Sequence, residues 1–145
     1  MPSYTGTYVK YYDFLLDLGS KVHNLTADTF KMLLLTNSYS PNQDTDDILT
    51  DITGVEASGS GYARQTITGL SLTRSSGTLT WTFDPVTFTV TSDLTVGYWA
   101  LYNDTPTSPA DPLVAYGDVN TSGTVTITTA LPLVITAGST FFTIV

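Results

Sequence analysis

A chain of 145 residues suffices for one domain whose core needs no staple. The absence of cysteine excludes disulfides, a thiol nucleophile and cysteine-bound zinc. Five basic residues against thirteen acidic ones leave a formal net charge of −8, which argues against a nucleic-acid-binding surface and against attraction to anionic membranes.

Residues 8 to 22 carry the helical period of the chain. Tyr8, Tyr11, Tyr12, Leu15, Leu18 and Val22 recur at spacings that put them on one face, and Gly19 stands where a C-cap would end the helix. That face is expected to dock on a sheet or close one end of a sandwich. Its front half, Tyr8, Tyr11 and Tyr12, together with Tyr39 in a following polar loop, supplies the candidate contacts for a partner. Beyond Gly19 the period becomes two. Residues 29–35 read as a strand buried on both faces in its second half, residues 37–47 as a polar loop, and residues 52–56 as a short strand. Residues 62–72 read as a longer strand bent at Gly69, and Ser75, Ser76 and Gly77 as a turn.

The cleanest alternation follows. Leu79, Trp81 and Phe83 face one way and Thr78, Thr80 and Thr82 the other; after Asp84 and Pro85 the pattern resumes with Val86, Phe88 and Val90. Residues 96–102 are apolar on both faces and are expected at the centre of a sheet. Residues 113–119, 124–129 and 140–145 complete the set, the last paired within the sheet or with a neighbouring subunit. Twenty-eight threonines suit the solvent faces of such strands. The expectation is an all-β, single-domain β-sandwich or jelly-roll-like fold spanning residues 1–145. It has one short N-terminal helix within residues 1–22 and the sandwich over residues 28–145.

Candidate chemistry is sparse. His23 is the only histidine, and no strained nucleophile turn accompanies it. Glu56 is the only glutamate and is expected to hold Arg64 rather than to act as an acid catalyst. Asp44, Asp46, Asp47 and Asp51 are dense enough to raise calcium as a question. They lack the glycine and terminal glutamate of an EF-hand loop and read as a solvated loop with a helix N-cap. A non-enzymatic protein with no cofactor is the expectation. No run of apolar residues approaches the ~20 of a membrane span, and the first residues lack the pattern of a secretion signal.

Residues 56–65 read Glu-Ala-Ser-Gly-Ser-Gly-Tyr-Ala-Arg-Gln. This resembles the Glu-x-x-Gly-x-x-Tyr-Ala-Arg-Gln signature of small virion proteins of tailed bacteriophages. Residues 28–36, 98–104 and 135–141 resemble that family's opening and late strands. The resemblance implies a virion structural component, made in the bacterial host cytoplasm. It would be a cement or decoration protein on the outer surface of the capsid, with the major capsid protein as partner and a dimer or trimer as its own state. A tail-associated adhesin or carbohydrate-binding module is the alternative. Within the signature, Gly59 and Gly61 are expected to permit a tight turn, Tyr62 to pack over it, and Arg64 to hold the carboxylate of Glu56. These five residues are candidates for a structural turn or an interface.

Overall fold

The computed structural model describes residues 3–4, 8–119, 124–136 and 142–144. In chain order they form β1 (Ser3–Tyr4), β2 (Tyr8–Lys10), α1 (Tyr12–Gly19), β3 (Phe30–Leu35), α2 (Leu49–Ile52) with a 3-10 turn at Thr53–Val55, and β4 (Gln65–Thr66). There follow β5 (Ser71–Ser75), β6 (Thr78–Thr82), β7 (Val86–Phe88), β8 (Leu94–Val96), β9 (Tyr98–Asn103), β10 (Leu113–Asp118), β11 (Val125–Ile127), β12 (Leu133–Ile135) and β13 (Phe142–Ile144).

The fold is all-β. A five-stranded antiparallel sheet in the order β2-β10-β9-β3-β4 forms its wall. Because side chains alternate along a strand, β3 and β9 each feed two cores. Phe30, Met32, Leu34, Trp99 and Leu101 face one side and pack with Trp81, Phe83, Phe88, Ile127 and Leu133. Those partners come from, or directly follow, strands of three small sheets, β13-β6-β5, β1-β12-β7 and β11-β8, which make the second layer of the sandwich. On the other side Leu33, Leu35, Ala100 and Tyr102 are covered by Tyr11, Tyr39, Leu49 and Ile52. This double burial explains the unbroken apolar runs at residues 32–35 of β3 and 98–102 of β9. A bulge in β10 adjusts the pattern: the register shifts between Leu113 and Ala115, so Leu113 joins the second core while Val114 and Ala115 both join the first.

The turn between β5 and β6 follows the sequence. Ser75 pairs with Thr78, and Ser76 and Gly77 between them take φ of 47° and 84°, the two left-handed residues of a tight hairpin turn. Close to the C-terminus, β13 pairs with β6 of the same chain; Thr140, Phe141 and Val145 of the expected last strand lie outside the described residues.

Several expectations require correction. Residues 8–22 are not one helix. Tyr8–Lys10 are extended against β10, Tyr11 remains extended at φ −68° and ψ 149°, and the helix runs only from Tyr12 to Gly19. Two helical turns are marginal alone, so tertiary pairing decides the outcome. Gly19 is not the left-handed residue of the helix stop. Lys21, at φ 64°, takes that place, its N–H reaching the Leu18 carbonyl (3.3 Å) and the Val22 N–H reaching that of Asp17 (2.8 Å).

The N-terminal segment also contributes more than a helix, since β2 belongs to the main sheet and Phe14 to its core. In place of a strand at residues 52–56 stand the end of α2 and the 3-10 turn, with only Glu56 bridging to Leu35. The expected strand at 62–72 is broken. Gly69 has φ +65°, and the Asp84 carboxylate occupies the space a side chain there would need. The strand at 96–102 is likewise interrupted, at Gly97, which lies against the backbone of Asn37.

Candidate interaction surface

The signature residues form a structural clasp. Gly59, Ser60 and Gly61 have φ of 84°, 56° and 73°, three consecutive left-handed residues. A Cβ at Gly61 would meet the Thr91 side chain at 2.8 Å, so glycine is required there both by conformation and by space. The turn is fixed from the side by the Thr91 N–H donating to the Ser60 carbonyl (2.6 Å) and by the Ser60 hydroxyl donating to the Asp93 carbonyl (3.1 Å).

Arg64 then returns to Glu56. Nε donates to Oε1 at 2.8 Å and Nη2 to Oε2 at 2.7 Å, a two-pronged contact. Arg64 Nη1 donates to the Tyr102 hydroxyl at 3.2 Å. The Tyr62 hydroxyl donates to Glu56 Oε1 (2.9 Å) and accepts the Leu34 N–H (3.0 Å). β4 pairs only with Lys31 and Met32 of β3, and beyond them the Tyr62 hydroxyl and the Ala57 N–H serve Leu34 in place of a strand. Burial pushes the Tyr62 hydroxyl pKa up, and the Glu56 charge adds to it. The hydrogen bonds to Glu56 push the Arg64 pKa up as well.

His23 is buried and also serves the fold. Asn103 Oδ1 accepts the Thr105 N–H (3.1 Å), which fixes the amide so that Nδ2 donates to Asp28 Oδ2 (2.7 Å) and to His23 Nδ1 (3.1 Å). The proton of the neutral ring therefore sits on Nε2, which has no hydrogen-bond partner and lies 4.0 Å from Asp17 Oδ2. Desolvation lowers the His23 pKa to about 4, against a smaller opposing pull from Asp28.

Two carboxylates of the acidic loop are engaged locally. Asp51 Oδ2 accepts the N–H groups of Asp47 and Ile48 at the start of α2 (3.0 Å each). Asp46 Oδ2 accepts the Tyr39 hydroxyl (2.8 Å) and the Asn42 N–H (3.0 Å). Since Tyr39 gives its proton to Asp46, the Tyr11 hydroxyl donates to Tyr39 across 2.8 Å. Among the described residues no group of three His, Asp or Glu side chains is placed to hold a metal ion.

Of the four tyrosines expected to meet a partner, two are not on the surface. Tyr11 is 1% exposed and Tyr39 6%, both in the core behind the main sheet. Burial, the largest cause in each case, pushes both hydroxyls far above the ordinary tyrosine pKa. Tyr8 is half-buried against the first core, and Tyr12 is open to solvent. Two neighbours of Tyr12 were not anticipated as surface residues. On α1, Phe14 points inward and Leu18 packs beside it, which turns the opposite face outward. That face carries Tyr12 (60% exposed), Leu15 (49%) and Leu16 (65%), with Gly19 one turn on.

The most exposed positions of α1 are thus apolar, the reverse of an ordinary surface helix. Val9 of β2, 36% exposed, extends the patch. A cleft of about 360 Å³ opens beside it, lined by Val9, Lys10, Tyr12, Leu15 and Gln43 among others. The Tyr12 N–H donates to the Gln43 carbonyl (3.0 Å), which seats the helix start on the acidic loop. The signal in the sequence was the spacing 12, 15, 16, 19, which is identical to that of a core-facing stripe. No described helix is long and apolar enough to cross a membrane. No family model, curated protein or solved structure matches this chain.

Proposed function

We propose that this chain is a structural protein of a tailed-bacteriophage particle, a cement or decoration protein that binds the outer head surface and stabilises contacts between major capsid subunits. The observation that carries the reading is the outward apolar face of α1, a surface built for covering. An exposed contiguous apolar patch marks a site of association. The clasp of Glu56, Tyr62 and Arg64 supports it differently. The residues behind the phage resemblance are engaged in holding a turn and a strand edge, as expected of a scaffold, and the two histidine- and carboxylate-based candidates for catalysis are bound up in the fold. Binding to the assembled shell and not to its separated parts would stabilise the shell by linkage, and many copies multiply a modest interface.

The adhesin alternative needs aromatic platforms near the loops. Trp99 and Tyr39 are buried, and Tyr62 is committed to Glu56 and Leu34, so these three rings offer it little. The test is the number of copies of this chain in purified parent particles, by quantitative mass spectrometry against the major capsid protein. A number comparable to the capsid protein is expected. A number matching a tail ring or fibre would move the protein to the tail, and absence from the particle would refute the proposal.

A further inference from the structure

The α1 surface also specifies the chemistry of what covers it. Asp13 and Asp17 lie one turn apart along one flank of the apolar face. The loop that seats the helix start brings Asp44 and Asp47 to the same side, close enough that Asp47 feels the charge of Asp13 and Asp17 feels both. Lys31 pairs with Asp104 and Arg64 with Glu56, away from this flank, while Lys10 stands in the cleft beside Val9 and Leu15. The result is an apolar stripe of Tyr12, Leu15 and Leu16 with an acidic rim.

We infer that this stripe docks a protein segment that presents apolar side chains flanked by lysine or arginine, the apolar side chains covering Leu15 and Leu16 and the cations meeting Asp13, Asp44 and Asp47. Complementarity of charge selects this occupant over the others. A two-fold contact between copies centred on α1 would bring the two acidic rims together, and an anionic membrane would meet the same repulsion. The inference rests on the reading of the chain as a docking protein and names the character of the partner at that same surface.

The experiment measures binding of the full chain, of Leu16→Gln and of Asp13→Asn/Asp47→Asn to two targets. One is parent heads stripped of the chain. The other is a synthetic amphipathic helix with leucines at i, i+3, i+4 and i+7 and lysines on its flanks, compared with its glutamate counterpart. Leu16, Asp13 and Asp47 lie outside the core, and thermal melts of the variants verify that the fold is retained. The expected result is loss of at least about tenfold in affinity for Leu16→Gln. The aspartate pair should lose about fivefold at low salt and little at about 300 mM NaCl, where screening already removes the term. The glutamate peptide should not bind.

Heads that bind wild type and variants alike would overturn the inference and leave the docking role standing. Variant-sensitive binding to the lysine peptide, with none to heads, would refute the capsid role and sustain the inference. Binding to neither would overturn both. A wild type that sediments as a dimer, returned to monomer by Leu16→Gln, would show the occupant to be a second copy and overturn the basic partner.

Discussion

Replacing Arg64 by alanine should loosen the whole clasp, and the structure sets the size of the effect. The guanidinium donates twice to Glu56 and once to Tyr102, and its carbon lies 5.5 Å from the centre of the Tyr102 ring. Hydrogen bonds to charged groups contribute about 1.5–3 kcal/mol each when protected. The Arg64 side chain is 32% exposed and that of Glu56 15%, so solvent screening discounts the sum. About 2–3 kcal/mol remains for Arg64→Ala. With a urea slope of about 2 kcal/mol per M, the denaturation midpoint should fall by about 1 M.

Arg64→Lys should recover less than half of this, because an ammonium group cannot reproduce the two-pronged contact. A double-mutant cycle with Glu56→Gln should give a coupling above about 1 kcal/mol. If Arg64→Ala shifts the midpoint by less than the equivalent of about 0.5 kcal/mol, the clasp does not stabilise the fold. The role of Arg64 must then be sought in a contact with another molecule.

Protonation of His23 should make stability depend on pH. Its folded pKa of about 4 lies below the unfolded value near 6.5, so the unfolded chain binds more protons between the two. Stability contributed by the neutral ring is complete above pH 6.5 and is lost as the pH falls toward 4, about 3 kcal/mol at most. Asp17, whose raised pKa acts in the opposite sense, remains in the variant. The difference between wild type and His23→Gln in urea melts across this range therefore isolates the imidazole, and a pH-independent difference would refute the assignment.

Lys21→Gly should raise stability by about 0.5–1 kcal/mol by relieving the left-handed residue that ends α1; a lower melting temperature would contradict the geometry of that stop. Gly117→Ala should cost about 1–3 kcal/mol, since the indole of Trp99 lies where the new methyl group would stand. Its tryptophan emission should change with it, and unchanged emission and stability would show that the ring is free to move aside.

The strands with strict alternation were legible because one face of each is wet. Thr78–Thr82 and Val86–Phe88 put leucine, tryptophan, valine and phenylalanine inward and threonine outward, and no helix fits that period. β3 and β9 were legible as central because both faces are apolar. β12 was not: Leu133–Ile135 is three residues long and wholly buried, too short to show a period. Residues 8–11 misled for the same reason, since four extended residues beside a helix share its spacing. Tyr39 sits among turn residues that suggest exposure, yet the loop folds back over the main sheet and carries the ring into the core. The outward face of α1 carries the same spacing as a buried face. Only the competing pair Phe14 and Leu18, which takes the inward position, tells the two apart. The clasp was the most legible part of the candidate site, because glutamate, glycine, tyrosine and arginine each had a stereochemical role that the spacing allowed.

Leu33 and Leu34 are neighbours in the chain and belong to different cores. One stretch of backbone is therefore the common wall of two hydrophobic compartments, and neither can be opened without exposing the back of the other. Such a wall makes melting a single cooperative event. Amide hydrogens of β3 and β9 should exchange with solvent only when the whole molecule opens, at the free energy that denaturant measures.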